Sequence, residues 1–131
     1  PFILEQEWQG TRDIAAYLSV PAAIEFQAEH DWPSVRARCH ELLRELCDVP
    51  FLKPTCPDST EWYAQMATFE LPACDAGELK RRLYDEYRVE VPIIEWGGRQ
   101  LVRVSVQGYN TREDLTALVE ALAALLPELT R

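Results

Sequence analysis

Two stretches of this chain hold residue types that could bind an anion. In residues 99–107, Val102, Val104 and Val106 alternate with Leu101, Arg103, Ser105 and Gln107. That period belongs to a strand with one buried face. The valines then face the core, and Arg103 projects mid-strand from the other side. A guanidinium offers paired donors that match the two oxygens of a carboxylate, and a strand would hold it rigidly. Spacing alone favours a solvent-facing arginine, which is common in antiparallel sheets. The second stretch is Trp8-Gln9-Gly10-Thr11-Arg12-Asp13. Gly10 lets backbone approach an anion closely, Thr11 adds a hydroxyl donor, and a following helix would aim N–H groups at the same point. That combination suits a phosphate, although the local pattern alone favours an ordinary helix cap. Tyr109-Asn110-Thr111 reads as a strand-to-helix turn with a threonine cap and is given no chemistry.

Other catalytic groups are sparse. The two lysines, Lys53 and Lys80, lie in a proline-containing loop and on a surface-patterned helix. Neither pattern suggests the desolvated amine that covalent carbonyl chemistry needs. His30 and His40 complete no nucleophilic triad and no metal-ligand spacing. Cys39, Cys47, Cys56 and Cys74 contain no C-x-x-C pair, so free thiols and no metal site are expected.

The elements that position these residues follow from periodicity. Residues 3–8 read as a short extended segment. Asp13 or Thr11 caps a helical turn from Ile14 to Leu18, and Ser19-Val20-Pro21 restarts a helix that runs to about Glu29. A helix opening at Asp31-Trp32-Pro33 carries Val35, Cys39, Leu42, Leu43 and Leu46 on one stripe and stops at Asp48-Val49-Pro50. Residues 50–60 read as a loop and residues 63–71 as a strand. Asp75-Ala76-Gly77-Glu78 caps a helix bearing Leu79, Leu83 and Tyr87. Residues 88–96 are β-rich, Gly97-Gly98 signals a two-residue hairpin, and residues 99–107 return. Thr111-Arg112-Glu113-Asp114 caps a last helix with Leu115, Leu118, Val119, Leu122, Leu125 and Leu126 on its apolar face. The expectation is an α+β fold: two or three helices, then β-α-β-β-α, with a small, mainly antiparallel sheet covered by helices.

Composition bounds the partners. With 131 residues the chain suits one domain, 1–131, and its formal net charge is −9. No basic footprint for nucleic acid or for an anionic membrane surface is visible. No apolar run reaches the length of a membrane span. The start at Pro1 resembles neither a signal peptide nor an initiator, so the chain reads as part of a longer one, and a cytoplasmic setting is expected.

Taken together, Trp8-Gln9-Gly10-Thr11-Arg12-Asp13, the stretch Leu83-Tyr84-Asp85-Glu86-Tyr87-Arg88-Val89-Glu90-Val91-Pro92, and the run from Val102-Arg103-Val104-Ser105 through Gly108-Tyr109-Asn110-Thr111-Arg112-Glu113-Asp114-Leu115 resemble the class V aminotransferase family. The likeness is to its isopenicillin N epimerase-like branch. It covers nearly the whole chain and corresponds to the family's C-terminal third, the small domain of a fold-type I enzyme using pyridoxal 5′-phosphate (PLP). The resemblance implies a homodimer in which Gly10 and Thr11 contact the cofactor phosphate, usually across the subunit interface. It implies that Arg103 grips the α-carboxylate of an amino-acid or peptide-like substrate. Residues 1–12 would then be an entry segment that contacts the large domain or the partner subunit, and Phe2, Ile3, Leu4 and Trp8, which would pack there, would be exposed in this chain.

The family's cofactor-carrying lysine lies in the larger domain, so the chain alone is expected to be inactive. Cysteine desulfurases of the family carry a nucleophilic cysteine shortly before the carboxylate-binding arginine. Residues 87–102 contain no cysteine, and Cys74 is too far back. That counts against desulfurase chemistry; a C–S lyase or desulfurase relative is kept as an alternative, as is a stand-alone interaction domain.

Overall fold

The structure is a computed structural model, and it describes residues 1–8 and 10–130. The chain forms two compact units, Pro1–Trp32 and Pro33–Arg131.

The first unit holds α1 (Phe2–Glu7), α2 (Ala15–Leu18) and α3 (Val20–Glu29), and no residue described in these helices is buried. The extended reading of residues 3–8 is corrected here, because residues 3–7 are helical and Trp8 caps the helix. Short apolar runs do not separate strand from helix by period. Leu4, Glu5, Gln6 and Glu7 all favour a helix. The Asp13 carboxylate accepts the Ala15 N–H at 2.9 Å and starts α2. Pro21 lies in the first turn of α3, where a missing N–H costs nothing. Within this unit Phe26 stacks on His30 with ring centroids 4.0 Å apart.

The second unit is an α+β layer. It begins in α4 (Trp32–Arg44), continued by a 3₁₀ turn over Glu45–Asp48. Four strands follow: β1 (Lys53–Pro54), β2 (Met66–Leu71), β3 (Ile93–Trp96) and β4 (Arg99–Ser105), with α5 (Ala76–Tyr87) between β2 and β3 and α6 (Arg112–Leu129) at the end. The sheet order is β1-β2-β4-β3 and every pairing is antiparallel. The two-residue β1 lies inside the stretch read as a loop. Pro54 can sit there because β1 is an edge strand, where a missing donor is tolerated. The strand read over residues 63–71 begins only at Met66, and the β-rich segment 88–96 forms a strand only from Ile93. Arg88 instead ends α5 in the left-handed region, with φ 58°, and the Val89 N–H returns to the Leu83 carbonyl at 3.0 Å.

One core joins these elements. Phe69, Leu43, Leu46, Leu79, Leu83, Val102, Val106, Leu122 and Leu125 are essentially sealed from solvent. Val102, Val104 and Val106 supply the inner face of β4, and Ala67, Phe69 and Leu71 that of β2. Gly97 and Gly98 both have positive φ, 57° and 74°, which is what a tight hairpin between β3 and β4 demands.

A candidate anion-binding face on the sheet

The strand register places Arg103 on the outer face of the sheet. It stands opposite Thr68 of β2, and its own N–H donates to the Pro92 carbonyl at 3.1 Å on the β3 side. Arg103 and Thr68 therefore form a non-hydrogen-bonded pair, the kind in which side chains stand closest. The Thr68 hydroxyl is bonded to the Thr55 hydroxyl, and Thr55 also donates to the Thr68 carbonyl at 3.0 Å. Arg103 is exposed, and among the described residues its guanidinium makes no ion pair. Arg44, Arg81, Arg82, Arg99 and Arg112 are all paired.

Around Arg103 the outer face carries Lys53, Arg99 and the carboxylate of Glu70, together with Met66, Ile94, Trp96, Leu101 and Ser105. Three cations and one carboxylate on one face give it local positive charge, in a chain whose net charge is −9. Such a face favours anions. Glu70 was missed by sequence reading. Only the register of β2 against β4 puts it beside Arg103, and that register is a long-range fact.

The Tyr109-Asn110-Thr111 turn is a bonded scaffold. The Gln107 N–H donates to Asn110 Oδ1 and the Asn110 N–H to the Gln107 carbonyl, both at 2.9 Å. Asp114 accepts from the Thr111 N–H at 3.0 Å and from the Asn110 amide at 3.2 Å. These bonds, the Thr111 N–H first, hold the Asp114 carboxyl below its ordinary range. Gly108 has a steric role, since a methyl group there would meet Val35 Cγ1 at 3.0 Å. The turn thus ties the end of β4 to the start of α6.

Gly10 and Thr11 lie in the first unit. Gly10 has φ 68°, a Cβ built on it would meet no atom within 4 Å, and Thr11 is exposed. Gln9, part of the same motif, lies outside the described residues. The helix expected to aim N–H groups at this point is the four-residue α2, and Asp13 already accepts its Ala15 N–H. The local donors are therefore the Thr11 hydroxyl and the backbone at Gly10-Thr11, rather than a helix end.

The thiols and amines are not poised for covalent chemistry. All four cysteines are free, and burial pushes the Cys47 and Cys74 thiols up, away from the reactive thiolate. Lys80 is exposed, and Lys53 lies 3.9 Å from Glu70. No group of histidine, cysteine or acidic residues that could hold a metal occurs among the described residues, and no helix is long and apolar enough to cross a membrane.

A fully antiparallel four-stranded sheet backed by α5 and α6, with Arg103 unpaired on its outer face, is the arrangement of the small C-terminal domain of fold-type I PLP enzymes. Along 92% of its length the chain superimposes on the cysteine desulfurase CsdA of Escherichia coli with a TM-score of 0.69 and 25% identity, and it covers 32% of that chain. It is 38% identical over 133 residues to the isopenicillin N epimerase of Streptomyces clavuligerus, spanning 98% of this chain and 33% of that protein. A probable chloroplastic L-cysteine desulfhydrase of Arabidopsis thaliana is 31% identical over 144 residues, covering 94% and 30%. No family model matches the chain. The chain spans about a third of the length of these curated relatives, at their C-terminal end. These likenesses fit a C-terminal domain of the class V aminotransferase family.

Proposed function

We propose that this domain serves a PLP-dependent enzyme acting on an amino-acid or peptide-like substrate, as its epimerase relatives suggest. Arg103 would grip the substrate α-carboxylate and Gly10-Thr11 would contact the PLP phosphate. The observation that carries this reading is the unpaired guanidinium of Arg103, held mid-strand on a cationic face. Bound PLP supplies an electron sink that stabilises a carbanion at the substrate Cα. The residues of this chain contribute binding and orientation. A two-pronged grip on the carboxylate fixes how the Cα bonds stand, which decides which bond is weakened. The open turn at Gly10 and the exposed Thr11 hydroxyl suit a phosphate reaching them from outside the chain. Neither lysine occupies a desolvated position, so the covalent anchor of the cofactor is assigned to the large domain and the chain alone to inactivity. A cytoplasmic homodimer, with Gly10-Thr11 serving the neighbouring subunit, belongs to the same reading.

A C–S lyase acting on cysteine is the second reading, favoured by the desulfhydrase relatives. A desulfurase is less favoured, because residues 87–102 hold no cysteine to take the sulfur. Replacing Arg103 with Ala in the full-length enzyme tests the carboxylate role. Substrate affinity should fall at least about tenfold, as for the loss of a charge-assisted bond, while the absorbance of bound PLP stays unchanged. Normal kinetics would remove the role.

A further inference from the structure

Glu70 is the one carboxylate on the outer face among the described strand residues. The register pairs Thr68 with Arg103 and Glu70 with Leu101, so Glu70 and Arg103 are diagonal neighbours on one face. Long side chains reach each other across that diagonal. A glutamate so placed is a ready internal partner for the arginine, and it would compete with an incoming carboxylate. It is held elsewhere. Glu70 Oε2 lies 3.6 Å from Arg99 Nη1 and 3.9 Å from Lys53 Nζ. Arg99 is itself fixed across the Gly97-Gly98 turn, its guanidinium carbon 5.6 Å from the centroid of the Trp96 ring.

We propose that Arg99 and Lys53 are positioning residues that hold Glu70 away from Arg103 and so keep the arginine fork open for a carboxylate ligand. The inference rests on the carboxylate reading of Arg103. Arg99 is the main restraint, being closer to Glu70 and stacked on Trp96. Lys53 supports it from the edge strand. Removing Arg99 frees Glu70 to swing onto Arg103, so the ligand must displace an internal carboxylate before it binds. Removing Glu70 as well abolishes that competition. The effect of Arg99 therefore depends on the presence of Glu70, which a merely structural role would not produce. Partly exposed ion pairs of this kind are weak, which sets the expected effect at about two- to fivefold.

The test is titration of the chain with sodium acetate at constant ionic strength, following the Nε–Hε resonance of Arg103 by NMR. In the parent chain the resonance should move saturably with acetate. In Arg99→Gln it should start from a shifted position, and the acetate affinity should fall about two- to fivefold. Lys53→Gln should give a smaller change in the same direction. In the double variant Arg99→Gln/Glu70→Gln, affinity should return to the parent value or exceed it. Unchanged affinity in Arg99→Gln would overturn the proposal, as would a double variant no better than the single one. If Arg103 of the parent chain ignores acetate altogether, the carboxylate reading itself fails and this inference falls with it.

Discussion

The N–H of Arg103 donates to the carbonyl of Pro92 at 3.1 Å. That bond extends the β3–β4 pairing one residue beyond Ile93, and it locks the backbone of Arg103 at the point where β3 begins. Thr68 stands opposite Arg103 on β2, and the Arg103 guanidinium makes no ion pair among the described residues.

Arg103→Lys separates geometry from charge. A lysine keeps the positive charge and loses the planar fork. In the full-length enzyme it should recover only part of the affinity lost in Arg103→Ala, with kcat below that of the parent. Full recovery of both KM and kcat would show that a point charge suffices.

Thr11→Ala should loosen the cofactor without unfolding the protein, because Thr11 is exposed. Dialysis of the full-length enzyme, followed by the absorbance of retained PLP, measures it. The variant should lose cofactor faster than the parent. Equal retention would remove Thr11 from the phosphate site.

Leu122→Ala should cost about 2–5 kcal/mol of stability, the range for emptying a sealed core position. Leu122 is 0% exposed and sits in the middle of α6. Denaturant unfolding of the chain gives the value directly. A loss below about 1 kcal/mol would mean that the layer of α6 on the sheet is wrongly described.

Acid should weaken the fold through identifiable carboxylates. The Tyr63 hydroxyl and then the Arg44 guanidinium hold Asp58 below its ordinary range, and the Thr111 N–H does so for Asp114. A depressed folded-state pKa means stability that is full above the unfolded value, about 3.9 for aspartate, and lost as pH falls through the folded value. The melting temperature should therefore drop as pH is lowered below about 4, and Asp58→Asn should flatten that drop. An unchanged acid profile in Asp58→Asn would discard its part.

Much of the second unit was legible because local signals agreed. The valine alternation placed the inner face of β4, Gly97-Gly98 placed the hairpin, and Asp75 and Thr111 placed the starts of α5 and α6. The signals failed where structure depends on distant partners. The apolar start at Phe2-Ile3-Leu4 reads as strand or helix by period, and the helix-favouring Leu4-Glu5-Gln6-Glu7 makes it helical. The edge strand at Lys53-Pro54 exists only because β2 is there to receive it. For the same reason Arg103 was found as a candidate, whereas its neighbours Thr68, Glu70 and Arg99 were not. The phosphate role of Gly10-Thr11 was drawn partly from a helix end, and α2 is too short, and too occupied by Asp13, to serve as one.

The most direct test of the central claim is to isolate the native protein with an antibody to this segment, reduce it with borohydride and map the modified peptide. The account predicts a chain longer than the 131 residues described, carrying a pyridoxyl group on a lysine outside them. A native protein that carries no pyridoxyl group on any lysine would contradict it, and the roles given to Thr11 and Arg103 would fall together.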